Sequence, residues 1–144
     1  MKTVLFLCTG NYYRSRFAEI LFNTLARKEG LPWRAESRGL ALERGVNNVG
    51  PLSAHAARRL RELGIRYDEY LRLPLPVQDT DLDRANLIIA LKGDEHRPLL
   101  EEKHPDWAER VEFWEIHDEY DLPPDQALPG VEVSVRALIH RLTG

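Results

Sequence analysis

Cys8, Arg14 and Ser15 stand in the run Cys8-Thr9-Gly10-Asn11-Tyr12-Tyr13-Arg14-Ser15, and their types and spacing suit nucleophilic attack on a tetrahedral oxyanion. The thiolate is the nucleophilic form of cysteine, and helix N-termini and nearby cations favour it. A loop that closes on itself returns the Arg14 guanidinium toward the thiol. Its planar fork holds two phosphate oxygens at once, which a lysine cannot do. Ser15 is placed to hydrogen-bond the sulfur and help it leave. Gly10 and Asn11 suit the unusual backbone angles of a tight cradle. In such a turn the backbone N–H groups of Thr9, Gly10, Asn11, Tyr12, Tyr13, Arg14 and Ser15 form a nest for the anion.

A lone cysteine at the end of a strand is, taken alone, most often an inert buried group. Arginine and serine at these offsets, with glycine and asparagine between, arise by chance in fewer than about one in a hundred such windows at average residue usage. A nucleotide-binding P-loop is the other candidate for a polar turn of this kind, but the Gly-Lys-Ser/Thr ending is absent.

The flanking elements are those that position such a turn. Lys2–Cys8 is apolar and β-branched and predicts a buried strand. After Ser15 the period changes, and Phe17, Ile20, Leu21 and Leu25 mark a helical stripe ending near Gly30. A second strand is expected over Pro32–Ser37. Ser53 caps a helix carrying Ala56, Ala57, Leu60 and Leu63, with Gly64 at its end. Asn86–Leu91 is a third strand, Asp94 caps a helix to about Lys103, and Arg110–Ile116 is a fourth strand. A last helix carries Val131, Val135, Leu138, Ile139 and Leu142. Leu71–Gln78, with Pro74 and Pro76, is irregular or an edge segment. Strands alternating with helices predict one α/β domain over residues 1–144, a four-stranded parallel sheet with helices on both faces. Ligands of such sheets bind at the carboxyl ends of the strands, where Cys8 stands.

Composition narrows the function classes. A net charge of −3 with scattered basic residues gives no electrostatic reason to expect nucleic acid or an acidic membrane as partner. No apolar run approaches the roughly 20 residues of a membrane span. The chain is expected to be cytoplasmic. With one cysteine, neither an internal disulfide nor a thiolate-rich zinc site is possible. His55, His96, His104, His117 and His140 show no ligand spacing, so neither metal nor other cofactor is expected.

The Cys8–Ser15 segment resembles the signature of low-molecular-weight protein tyrosine phosphatases, roughly V-C-x-G-N-x-C-R-S-P. The likeness extends to Ser37-Arg38-Gly39, which resembles the family's Ser-Ala-Gly, to Ser53–Ile65 and to Thr80–Leu91. It implies the same sheet and helices, and it implies that Asn11 and Ser37 brace the loop. Tyr12 and Tyr120 become candidate walls for an aromatic ring. The departures are Tyr13 for the second loop cysteine, Arg16 for the proline after Arg-Ser, Asn86 for an aspartate, and Leu91-Lys92 for Met-Asp.

The family takes its general acid from an Asp-Pro-Tyr motif near the C-terminus. Here His117-Asp118-Glu119-Tyr120-Asp121 matches at Asp118 and Tyr120, with Glu119 in place of the proline. Asp118 is the first candidate, Asp121 the second and Glu119 the third. The function implied is hydrolysis of phosphotyrosine or another aryl phosphate, on a protein or small molecule, through a phosphocysteine intermediate. Protein-arginine phosphatases and thiol-dependent arsenate reductases share the scaffold. Tyr12, where a small threonine favours the N-phosphate, argues against the former, and the single cysteine excludes an internal disulfide shuttle for the latter. A non-catalytic phosphoprotein-binding module is the rival from another class; retention of Cys8, Arg14, Ser15 and an acid candidate opposes it.

Overall fold

The computed structural model describes residues 1–116 and 124–143. Its elements run β1 (Lys2–Cys8), α1 (Arg14–Glu29), β2 (Trp33–Gly39), α2 (Ala54–Glu62), α3 (Asp79–Arg84), β3 (Leu87–Ala90), α4 (Gly93–Lys103), β4 (Glu112–Phe113) and α5 (Pro124–Thr143). The strands lie in the order β2-β1-β3-β4, and every pair is parallel. β1 is therefore central, which explains why its side chains are apolar on both faces.

Val4 and Phe6 point to one side and Leu5 and Leu7 to the other, as a period of two requires. All four are fully buried. Val4 and Phe6 pack under α1, α2 and α5, through Phe17, Leu21, Leu60, Val131 and Val135. Leu5 and Leu7 join Leu82 of α3 and Leu99 and Leu100 of α4 on the opposite face. The parallel sheet with helices on both faces is the architecture expected from the alternation of strand and helix patterns.

The boundaries agree where local chemistry dictates them. α1 ends at Gly30, which takes the left-handed conformation at φ 64°, where a side chain bearing Cβ is disfavoured. Ser53 caps α2 by accepting from the His55 N–H at 3.2 Å. The differences have physical causes. β2 runs to Gly39 rather than Ser37 because pairing with β1 continues to Cys8. α4 starts at Gly93 with Lys92 at the cap position, while Asp94 pairs with the Lys92 ammonium at 2.9 Å. β4 keeps only Glu112–Phe113 of the expected Arg110–Ile116, because its single neighbour β3 is itself four residues long. The short helix α3 was not expected; Gln78 and Asp81 close a capping box at its start, with glutamine in place of the usual Ser, Thr, Asp or Asn.

The irregular segment Leu71–Gln78 meets the end of β2. The Gly39 N–H donates to the Leu75 carbonyl at 2.8 Å, and the Val77 N–H donates to the Gly39 carbonyl at 2.9 Å. It thus runs alongside the loop that follows β1.

Candidate active site

The loop between β1 and α1 is held from two sides. The Cys8 carbonyl accepts from the Leu40 N–H at 2.8 Å and the Thr9 carbonyl from the Ala41 N–H at 2.9 Å. The Tyr12 carbonyl accepts from the Ser53 N–H at 3.0 Å, which ties the far side to the start of α2. Asn11 forms the centre of the turn. It is fully buried and adopts φ 50°, a conformation asparagine reaches more readily than other residues with a Cβ.

All the hydrogen-bonding capacity of the Asn11 side chain is used locally. Nδ2 donates to Ser15 Oγ at 3.0 Å and to Ser37 Oγ at 2.9 Å. Oδ1 accepts from Arg72 Nη1 at 2.9 Å and from the Leu75 N–H at 3.0 Å. Gly39 permits this approach, since a Cβ there would lie 2.9 Å from the Thr9 carbonyl oxygen and 3.2 Å from Asn11 Cβ.

The reactive groups converge inside this turn. Cys8 Sγ lies 2.9 Å from Ser15 Oγ. Because Ser15 Oγ already accepts from Asn11, its own proton can point at the sulfur. Cys8 is only 2% exposed, yet it lines a cleft of about 90 Å³ with Thr9, Gly10, Tyr12, Tyr13 and Arg14. Arg14 is also 2% exposed. Its Nη1 and Nη2 donate to the two Glu95 oxygens at 3.1 and 2.7 Å, and Nη1 donates to the Ile116 carbonyl at 3.1 Å.

A family model described as low molecular weight phosphotyrosine protein phosphatase matches residues 3–140. The chain belongs to this family. The low molecular weight protein-tyrosine-phosphatase YfkJ of Bacillus subtilis is 36% identical over 96 residues, which cover 65% of this chain and 58% of that protein's length. The protein-arginine-phosphatase of Bacillus subtilis is 27% identical over 108 residues, covering 75% of this chain and 67% of that protein. The crystal structure of a low molecular weight protein tyrosine phosphatase from T. tengcongensis aligns with a TM-score of 0.77 at 26% identity, over 99% of this chain and 98% of that one.

Of the residues expected at the site of this phosphatase-family chain, Cys8, Thr9, Gly10, Tyr12, Tyr13 and Arg14 line one cleft. Asn11, Ser15 and Ser37 form the hydrogen-bonded layer beneath it. Tyr12 is half-buried, and its hydroxyl donates to the Val49 carbonyl at 2.6 Å. Asp118, Glu119, Tyr120 and Asp121 lie outside the described residues. Among the described residues no cluster of His, Cys, Asp or Glu is disposed to hold a metal ion.

Two supports were not anticipated from the sequence. The first is Glu95, in the first turn of α4. Burial pushes its carboxyl pKa upward, but hydrogen bonds from His96 and Arg14, the Arg14 charge and the Thr9 hydroxyl outweigh this and hold it well below the usual carboxylate range. Buried His96 accepts from the Lys92 N–H at Nδ1, at 3.0 Å. That places its ring proton on Nε2, 3.2 Å from a Glu95 oxygen. The signal for Glu95 was its position just past β3, the strand beside β1, where ligand groups gather in such sheets.

The second support is Arg72, from the irregular segment. Besides Asn11 it donates to the Ser37 carbonyl at 3.0 Å. Burial, with the Arg16 charge nearby, lowers its pKa to about 10. Arg16, standing where the family has proline, is fully buried, pairs with Glu19 at 2.8 Å and donates to the Tyr70 carbonyl. Glu19 in turn accepts from Ser37 Oγ. A continuous buried polar layer therefore runs from α1 to the loop.

Proposed function

We propose that this chain hydrolyses phosphotyrosine, or a similar aryl phosphate monoester on a protein or small molecule, through a phosphocysteine intermediate. The observation that carries the reading is the 2.9 Å contact between Cys8 Sγ and Ser15 Oγ in a closed loop that also presents Arg14 to the cleft. Cys8 Sγ forms a bond to phosphorus as the bond to the phenolic oxygen breaks. Backbone N–H groups of Thr9–Ser15 and the Arg14 guanidinium hold the equatorial oxygens while charge redistributes. Ser15 donates to the sulfur, which stabilises the thiolate as attacking and leaving group.

Asp118 delivers a proton to the departing phenolic oxygen, a step typically worth 10²–10⁴-fold. It then takes a proton from water, which attacks phosphorus and releases the Cys8 thiolate. The Arg14 bond to the Ile116 carbonyl supports this assignment, since the segment bearing Asp118 begins beside the phosphate-binding group. Tyr12 supplies a ring face for an aryl substrate.

A second reading, hydrolysis of phosphoarginine, is supported by the likeness to a protein-arginine-phosphatase, whereas the bulk of Tyr12 in the cleft wall opposes it. Steady-state hydrolysis of phosphotyrosine, phosphoserine and phosphoarginine side by side separates the two. Phosphotyrosine is expected to be the best substrate, and Cys8→Ser to abolish turnover while retaining vanadate binding. Turnover by Cys8→Ser at the wild-type rate would refute the nucleophile.

A further inference from the structure

The cleft over Cys8 encloses about 90 Å³, so the remainder of a phosphorylated peptide must lie outside, against the rim. Much of that rim comes from the stretch after β2, where Arg44, Asn47 and Asn48 join the loop residues in lining the cleft. Arg44 and Asn47 are exposed and Asn48 is half-buried.

This stretch is fixed in place rather than merely adjacent. The Arg44 N–H donates to the Ala41 carbonyl at 3.0 Å, and the Asn48 N–H donates to the Gly45 carbonyl at 3.0 Å. Tyr12 clasps it through the Val49 carbonyl. Asn48 packs so closely on the cradle that a Cβ at Gly10 would lie 3.1 Å from Asn48 Nδ2.

The charges at the mouth are unequally matched. Arg14, inside, is met by Glu95. Glu43, beside Arg44 in the chain, is engaged by Lys103 at 2.8 Å. Arg27, Arg38, Arg59 and Arg84 each pair with a carboxylate away from the cleft. Arg44 makes no ion pair among the described residues, although its charge acts on the neighbouring Glu43, and its side chain lines the cleft. A guanidinium held there is matched by a second anion on the substrate, and the neighbouring Asn47 and Asn48 amides add hydrogen-bond donors for it.

From this we infer that Arg44, with Asn47 and Asn48, forms a subsite for an acidic side chain adjacent to the phosphorylated residue, so that the preferred substrates are acidic phosphotyrosine peptides. The inference rests on the phosphotyrosine phosphatase reading above and adds the sequence context to it.

The test compares kcat/KM for matched phosphotyrosine peptides carrying aspartate, alanine or lysine on either side of the phosphotyrosine. Wild type is expected to favour the aspartate over the lysine peptide by about three- to fivefold, the size of one solvent-facing ion pair. The ratio should shrink as added salt shortens the screening length. Arg44→Ala should bring the ratio near unity and Arg44→Glu should invert it. Arg66→Ala, which removes another exposed arginine away from the cleft, should leave the ratio as in wild type. Hydrolysis of phosphotyrosine without an acidic preference, or a preference that survives in Arg44→Glu, would overturn the subsite. Failure to hydrolyse phosphotyrosine in every context would instead refute the reading beneath it.

Discussion

Asn11 is the residue on which the shape of the loop most depends, and its replacement tests that directly. Asn11→Ala removes four hydrogen bonds, two buried, to Ser15 and Ser37, and two partly buried, to Arg72 and Leu75. At about 1 kcal/mol net for each, the loss is about 4 kcal/mol. Alanine at φ 50° adds roughly 1 kcal/mol of left-handed strain. The total is comparable to the whole stability of a marginal domain, roughly 5 kcal/mol. Asn11→Asp separates scaffold from chemistry. Its carboxylate still accepts from Arg72 and Leu75, and the Ser15 hydroxyl can turn to donate to it, while the Ser37 proton remains on Glu19. Stability should then fall by no more than about 2 kcal/mol, whereas kcat should drop because the Ser15 proton no longer points at Cys8. Urea unfolding followed by tryptophan fluorescence, paired with steady-state kinetics, reads both effects. A loss below about 1 kcal/mol in Asn11→Ala, or a greater loss in Asn11→Asp than in Asn11→Ala, would show that the network does not carry the loop.

Asp118→Asn should slow phosphotyrosine hydrolysis by about 10²-fold and affect a nitrophenyl ester less, since that leaving group departs without a proton; the same pattern in Asp121→Asn instead would reassign the acid. Glu95 has a depressed folded pKa, so its stabilisation is fully present above its ordinary value of 4.5 and is lost as pH falls below it. Wild type should therefore lose more stability than Glu95→Gln between pH 7 and pH 3 in urea titrations, and equal losses would refute the Arg14–Glu95 pairing. Peroxide should inactivate the enzyme with progressively poorer recovery by dithiothreitol, because Cys8 is the chain's one cysteine and no second thiol traps the sulfenic acid. Phosphate should protect, and complete recovery after long exposure would contradict this.

The legible parts of the molecule were those encoded by neighbours in the chain. β1, the polar turn and α1 are contiguous, so the passage from a continuous apolar run to a helical period of 3.6 located the reactive segment without tertiary information. Ser53 and Gly64 likewise act within one turn of their helix. Glu95 and Arg72 escaped because they meet the loop across 81 and 61 residues of sequence, and neither sits in a pattern that names its partner. A buried arginine such as Arg16 looks like a surface residue until its carboxylate, Glu19, is placed beside it. α3 is six residues long, too short for its period to register. The overlong expectation for β4 arose because apolar alternation does not say where a pairing neighbour stops.

The Arg14–Glu95 bond has a consequence for the entropy of binding. A free arginine side chain carries about 2 kcal/mol of rotamer entropy that an anion must remove if it is to be gripped. Here Glu95 and the Ile116 carbonyl confine the guanidinium before any substrate arrives, so that ordering belongs to folding and not to association. For an otherwise equal set of contacts, the difference amounts to roughly twenty- to thirtyfold in dissociation constant.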